Sequence, residues 1–540
     1  MTSINNCRVR PYELISPGDV AAKCPAAAPL KWIRAGDIFC ALAVALCALI
    51  YVRTSVAPPI PTLAGPSDFY GYYHAGEDIL HGSSPYRSPA FFYPPLLAFL
   101  MVPLALVDYV AARWIWFALS HLFLLGAGWL LWRGLGGGRV ALCCIACVWA
   151  LGGALKETLI LGQLGPLLVL LLVAAFTRRG RAQGVFAGLG LALKYFPGII
   201  TLPLLLGRRR RALAASAGVA LAGVCVPWLV VRVFFAGPKT PTSAHYWMGT
   251  PSMFSWSIPS VVLRLLLPIT RGAPLPHDWE FGNEAATLHL GPRLEWISVA
   301  TACAVFAVGV MALAVVCRGR LNGRQIPWAM AGLVALSLAV APVCWTHYQL
   351  LQYPGVAMLL TAGIRGRDWR LSLATAACFA LVYQLPERFL IAYHEAHNGW
   401  TTASPDTLYF WSTVPPLASL AIFALALVVV RRTPSIATDD SSAFHPPSVL
   451  RQLPQAIDRE RFHVFLTGDK NMQDQQRLEA RPFAAGHVRD QLASGHNWPV
   501  VRPHVHKISV ALDEAQPGTV NTIDCGVFVL RPKRTSSESE

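Results

Sequence analysis

Between residues 36 and 430 the chain is a succession of apolar runs separated by short bursts of arginine. A bilayer span needs about 20 mostly apolar residues. Runs near 36–56, 113–132, 139–155, 163–177, 212–235, 296–317, 326–345, 349–364, 370–386 and 411–430 fit that requirement. Two more, 92–108 and 182–206, are interrupted by proline: Tyr93-Pro94-Pro95 with Pro103, and Phe196-Pro197 with Pro203. The expected fold class is an all-α polytopic membrane protein of about ten spans plus two broken or re-entrant segments. Composition agrees, with 54% hydrophobic and 14% charged residues and a mean hydropathy of +0.45. A soluble domain carries about 25% charged residues, and disorder needs low hydrophobicity with high charge, so both classes are excluded.

The net charge of +16 has an address. From Ala437 to Glu540 there are about 12 Lys and Arg against about 13 Asp and Glu, so the excess belongs to residues 1–436. There it comes in bursts: Arg178-Arg179-Gly180-Arg181, Arg208 to Arg211, Arg318 to Arg324, Arg365 to Arg370 and Arg431-Arg432. Nucleic-acid surfaces carry broader basic patches mixed with polar residues, and no nucleic-acid partner is expected. The 13 cysteines are scattered, mostly within apolar runs, and Cys144-x-x-Cys147 has no nearby His partner. They read as small buried hydrophobes.

Basic bursts mark cytoplasmic loops, and Lys31 with Arg34 places the N-terminus inside. If 92–108 and 182–206 each crossed once, Arg133 to Arg139 and Arg178 to Arg181 would fall outside. If instead 92–108 dips without crossing and 182–206 is a bent pair with both ends inside, every burst lands in the cytoplasm. The loops 57–91, 236–295 and 387–410 then face out. This second topology is preferred. It implies a polar cavity near the outer leaflet, because broken backbone at membrane depth must be covered by protein or water. The expected divisions are a cytoplasmic segment 1–35 with an uncleaved anchor following it, a transmembrane catalytic domain 36–432, and a cytoplasmic tail or small domain 433–540. In that tail Lys507 to Leu512 and Thr522 to Leu530 have strand-like patterns.

Four polar groups converge on the outer face of this topology. Asp68 follows the first span among aromatics, in Ser67-Asp68-Phe69-Tyr70-Gly71-Tyr72-Tyr73-His74. A carboxylate there can take a proton from an attacking hydroxyl, although a loop Asp or a helix cap is the plainer reading. Gln163 opens an apolar run at its outer end. Lys194 sits inside the broken segment 182–206, where an ionisable group is a functional-site hypothesis, with snorkelling as the alternative. His347, in Trp345-Thr346-His347-Tyr348, lies at an outer junction between two spans.

These residues resemble glycosyltransferase family 87. The resemblance is carried by Asp68…Tyr73-His74-Ala75, Gly82…Pro85-Tyr86, Tyr93-Pro94-Pro95-Leu96…Pro103-Leu104, then Gly162-Gln163, then Lys194-Tyr195-Phe196-Pro197 before Arg208, then Pro342…Trp345-Thr346-His347. It covers about residues 36–430 in order. Leu164-Gly165 stands where the family often has Asn after Gly-Gln, Ala341 replaces a Ser before Pro342, and the middle loop lacks Asn-x-Ser.

The resemblance implies a GT-C-like bundle and transfer of a hexose, mannose as the specific reading, from a polyprenyl-phosphate sugar to a lipid or glycan acceptor, with inversion. It implies Asp68 as general base, Lys194 as the cation balancing the departing phosphate, and His347 as a catalytic residue that orients phosphate or acceptor. Tyr73, Tyr86, Tyr93, Gln163, Trp345 and Tyr348 are the further substrate-binding candidates. No cofactor and no metal are expected. The expected location is the plasma membrane, with the site facing outside or the periplasm. The alternative from another class is a transporter or flippase of lipid-linked sugars; the dissimilar broken segments speak against the paired repeats of transporters.

Overall fold

The computed structural model describes residues 29–60, 67–88, 90–194, 196–240, 255–271, 292–317, 321–386, 388–389, 405–433, 465–466 and 508–509. Expectations for the N-terminal segment before residue 29, for most of the loops 236–295 and 387–410, and for Thr522 to Leu530 lie outside the described residues. By contacts the chain divides into Met1–Pro446 and Pro447–Glu540. In the second unit, the two-residue strands β1 (Phe465–Leu466) and β2 (Ile508–Ser509) pair antiparallel.

The first unit is helical. In chain order it contains α1 (Pro29–Tyr51), α2 (Asp68–Leu80), α3 (Pro95–Met101), α4 (Tyr109–Gly134), α5 (Arg139–Leu151), α6 (Gly153–Leu161), α7 (Gly165–Thr177) and α8 (Gly180–Leu193). There follow α9 (Leu202–Leu206), α10 (Arg210–Phe234), α11 (Ile258–Arg271), α12 (Pro292–Val316), α13 (Ile326–Val340), α14 (Tyr353–Arg365), α15 (Trp369–Phe379) and α16 (Pro405–Arg432). Among the described residues, five helical stretches are long and apolar enough to cross a membrane: 36–56, α4, α10, 296–316 and 410–432. The bent pair α5–α6, with 58° between its halves, makes a sixth if counted as one span.

The expected spans 163–177, 326–345, 349–364 and 370–386 are shorter than the sequence pattern predicts. Their helices have 13, 15, 13 and 11 residues. For the first three the reason is burial; α15 exposes Trp369 and Leu373 and runs on into the π-helical turn Ala380–Gln384. Nearly every side chain of α13 is buried, as are most of α7 and α14, whereas the spans 36–56, α10 and 296–316 are only 17% buried. Long helices ring the outside and expose apolar surface. Short inner helices are covered by protein, which satisfies their broken ends. The expected single span 139–155 is likewise interrupted. Gly152 takes extended backbone between α5 and α6 and lies so close under the Tyr353 ring that a side chain has no space there.

A chain of contacts gathers the basic bursts at one end of the bundle. Arg139 pairs with Asp37 at 2.6 Å, so α1 and α5 run side by side in the same direction, and Cys40 meets Cys143 at 3.1 Å and Cys47 meets Cys147 at 3.5 Å along them. Arg365 donates to the carbonyls of Leu135 and Gly137. Arg432 pairs with Asp368, and the Leu371 N–H and this arginine hold the Asp368 carboxyl below the usual carboxylate range. Gln325 donates to the Val430 carbonyl at 3.0 Å, and the Leu321 N–H reaches the Leu206 carbonyl at 3.4 Å. Thr177 packs on Gly134, and Gly184 packs on the backbone of Ala212.

The broken segments follow from this arrangement. α8 rises from the basic end to Lys194. The chain then returns through the 3-10 turn Phe196–Thr201 and α9 to Leu206, again at the basic end. α3 has seven residues, about 10 Å of helix, and cannot cross. Tyr93 before it and Val107 after it both touch α2, through Tyr72 and Tyr73. Leu96 meanwhile reaches Gly223, midway along α10. The segment enters and leaves by the end opposite the arginines.

Candidate functional site

That opposite end carries a connected polar cluster. α2 starts at Ser67, which adopts the extended backbone of a cap, and places Asp68 in its first turn, where the helix dipole favours a carboxylate. Gln163 follows Gly162, which takes a left-handed backbone (φ 66°) that ends α6. A side chain at 162 would collide with Arg113 and Phe69; glycine therefore lets α6 and α2 close on each other. In this arrangement the Gln163 side-chain amide donates to Asp68 Oδ2.

The other face of the Gln163 amide is read by tyrosines. Tyr72, 1% exposed, donates to Gln163 Oε1 at 2.9 Å and lies 2.9 Å from the Tyr93 hydroxyl, which is 3.4 Å from the same Oε1. Burial first, and then the Asp68 charge, push the Tyr72 phenol well above its usual value, so it stays a donor. Tyr93 also bonds with Tyr348. Lys194, at the tip of the α8 hairpin, holds its Nζ 3.5 Å from the centre of the Tyr348 ring and 5.1 Å from that of Tyr93. These are cation–π distances. The Asp68 carboxylate, the Lys194 ammonium and three phenols thus share one site.

His347 lies beside it, its ring edge-on to Tyr348 at 4.5 Å between centres. It stands on the 3-10 turn Thr346–Gln352, which packs on α6: the Thr158 hydroxyl donates to the His347 carbonyl at 3.2 Å. His347 is 5% exposed, and neither ring nitrogen has a hydrogen-bond partner among the described residues.

The structure brings together Asp68, Gln163, Lys194, Tyr93 and Tyr348, with His347 adjoining. Tyr86 supports from behind, donating to the Tyr93 carbonyl at 3.2 Å. Trp345 contributes backbone, in a bridge to Ser255 beside the Trp256 N–H to Cys344 carbonyl bond of 2.7 Å. Tyr73 is not brought in. Its hydroxyl donates to the Val107 carbonyl at 2.8 Å and its ring packs on Tyr109, so it anchors α2. The tyrosine that reaches Gln163 is Tyr72, one residue earlier and about 100° around the helix.

Two charged residues escape the sequence reading. Arg113 is fully buried in α4, donates to the Leu159 and Ile160 carbonyls at the end of α6, and lies over the Phe69 ring at 5.5 Å. It holds the α6 terminus, and hence Gln163, against α2. Glu157, in the middle of α6, accepts from the Thr346 hydroxyl and lies 3.7 Å from His347 Nδ1. Its signal in the sequence was a carboxylate in Lys156-Glu157-Thr158, in the short gap between the apolar runs 139–155 and 163–177. Among the described residues no group of three His, Cys, Asp or Glu side chains could hold a metal ion.

Comparison with known proteins gives this geometry a family. The model for glycosyltransferase family 87 matches residues 91–342. The match contains Gln163 and Lys194; Asp68 lies 23 residues before its start and His347 five residues after its end. A polyprenol-phosphate-mannose-dependent alpha-(1-2)-phosphatidylinositol pentamannoside mannosyltransferase of Mycolicibacterium smegmatis is 28% identical over 311 residues, 55% of this chain and 66% of that protein. A polyprenol-phosphate-mannose-dependent alpha-(1-2)-phosphatidylinositol mannoside mannosyltransferase of Mycobacterium tuberculosis is 26% identical over 366 residues, 63% of this chain and 75% of the other. A further pentamannoside mannosyltransferase from that species is 24% identical, over 67% of this chain and 80% of its own. Between an enzyme and a transporter of lipid-linked sugars, the family decides for the enzyme. The match over residues 91–342, the mannosyltransferase relatives and the long apolar helices make the chain similar to the membrane hexosyltransferases of glycosyltransferase family 87.

Proposed function

We propose that the protein transfers mannose from a polyprenyl-phosphate donor to a lipid or glycan acceptor, with inversion, and that Asp68 is the general base. The observation that carries this reading is the Asp68 carboxylate fixed by the Gln163 amide in a cluster that also holds the Lys194 ammonium. The relatives' use of polyprenol-phosphate mannose supports the donor, and their phosphatidylinositol mannoside acceptors support a lipid-borne glycan.

In the reaction, Gln163 holds Asp68 Oδ2 and leaves Oδ1 to take the proton of the acceptor hydroxyl. The hydroxyl oxygen bonds to the anomeric carbon on the face opposite the phosphate. The bond from that carbon to the phosphate oxygen breaks, and its electron pair departs with polyprenyl phosphate. The Lys194 ammonium balances the charge that develops there. Phosphate is a good leaving group, so one carboxylate suffices where glycoside hydrolysis uses two.

The same reading includes about ten spans with two broken segments, both termini in the cytoplasm, and a site open to the outside of the plasma membrane. The gathering of the arginine bursts at the end opposite Asp68 supports that orientation. Residues 433–540 are a cytoplasmic tail or small domain in this reading.

The test is Asp68→Asn in the purified chain. The variant keeps its fold and loses sugar transfer from polyprenyl-phosphate mannose. Transfer at the normal rate would remove Asp68 from the role of base.

A further inference from the structure

The buried imidazole of His347 has no hydrogen-bond partner on either nitrogen among the described residues. Burying a polar side chain without partners is unfavourable, so such a group calls for a ligand. Three further facts say what kind. The first is Glu157, whose Oε1 is 3.7 Å from Nδ1, inside ion-pair range yet longer than a hydrogen bond. The second is Thr346, whose hydroxyl donates to the other oxygen of that carboxylate and so aims Oε1 at the ring. The third is Lys194. Its Nζ is 3.5 Å from the centre of the Tyr348 ring, and the His347 ring centre is 4.5 Å from the same point, so at most 8.0 Å separates them. A phosphate that accepts one hydrogen bond from each of two cations spans about 7 Å between donors.

We propose that Glu157 is a positioning residue that acts through His347. It faces Nδ1, keeps the ring in place, and so presents Nε2 with Lys194 to the phosphate of the polyprenyl-phosphate donor. The proposal rests on the reading that such a donor is used. Asp68 and Glu157 then divide the two carboxylate tasks of the site. Asp68 handles the acceptor proton, and Glu157 sets the group that holds the leaving phosphate. The arrangement is that of a histidine oriented by a carboxylate on one nitrogen so that the other is committed to its task. Here the committed nitrogen meets an anion in a dry site, where a charge-assisted bond is strong.

The test measures two things on the full chain in lipid nanodiscs: binding of polyprenyl monophosphate, the released half of the donor, and steady-state transfer of mannose from polyprenyl-phosphate mannose. Glu157→Gln weakens binding and raises the donor KM by roughly tenfold or more, the worth of one charge-assisted contact from His347 to the phosphate, while the acceptor KM changes little. Glu157→Asp restores most of the loss, which general destabilisation of α6 does not predict. His347→Gln weakens binding at least as much, and adding Glu157→Gln to it changes binding less than about twofold, because the two act as one unit. Additive effects of the two substitutions, or normal binding by Glu157→Gln, overturn the role of Glu157. A wild-type chain that binds no polyprenyl monophosphate overturns the donor reading and this inference with it. Binding by the wild type with loss confined to the acceptor KM in Glu157→Gln assigns the dyad to the acceptor and refutes the proposal alone.

Discussion

Gly162 offers a perturbation that tests the position of the Asp68–Gln163 pair while leaving both residues in place. It adopts φ +66°. A methyl group there would lie 2.6 Å from Arg113 Cζ and 2.8 Å from Phe69 Cβ, where ordinary contact begins at 3.4 Å. Phe69 must therefore retreat by about 0.6 Å, and the Arg113 guanidinium, whose Nη1 lies closer still, by more than about 0.8 Å. Phe69 follows Asp68 and Gln163 follows Gly162, so the wedge opens their hydrogen bond from both sides. The left-handed backbone costs alanine about 1–2 kcal/mol. Overpacking adds about 1–3 kcal/mol, for a total of about 2–5 kcal/mol. Displacement of catalytic groups on the order of 1 Å lowers turnover about 100-fold. The matched control is Gly180→Ala. Gly180 has φ +57° and nothing within 4 Å of the added carbon, so it suffers the backbone term alone. The assay pairs mannose transfer from polyprenyl-phosphate mannose with thermal unfolding in the same detergent. Gly162→Ala is expected to lose most of its turnover and more stability than the control. If the two variants match in both measurements, the close approach of α6 to α2 does not set the site, and the reasoning fails.

Two further outcomes are expected. Tyr72→Phe removes a buried donor to Gln163, worth about 1 kcal/mol, and lowers kcat by roughly fivefold; Tyr73→Phe, which loses only the bond to the Val107 carbonyl, lowers stability and leaves kcat unchanged, so kinetics of the pair separate the site tyrosine from the anchoring one. A cysteine introduced by His81→Cys, at an exposed position of the loop 57–91, in a background cleared of native cysteines, reacts with an impermeant thiol reagent added outside, and Arg210→Cys does not; the reverse pattern would invert the proposed orientation.

Much of this was legible from residue type and spacing. The apolar runs predict an all-helical membrane protein, and the arginine bursts predict a return of 182–206 to the end it started from. The structure has that return, with Lys194 at its tip. Asp68, Gln163, Lys194 and His347 stand out in the sequence because each is polar where its neighbours are not. The same logic applied to Glu157 and Arg113 would have found them, but each sits among other polar or aromatic residues that blunt the contrast.

What the sequence by itself determines is set by solvent: hydropathy over some 20 residues fixes helix and membrane, and isolated charge reports orientation. What only the tertiary structure decided depends on contacts between residues far apart in the chain. Which tyrosine of Tyr72-Tyr73 faces the site follows from the pitch of α2 against α6. The division of the spans into a long outer ring and short inner helices follows from what covers each, since hydropathy does not distinguish a neighbour helix from lipid. The pairing of Glu157 with His347, 190 residues later, exists because the 3-10 turn at Thr346 packs on α6. A buried imidazole becomes informative only when its surroundings show that neither nitrogen is satisfied, and no one-dimensional pattern carries that information.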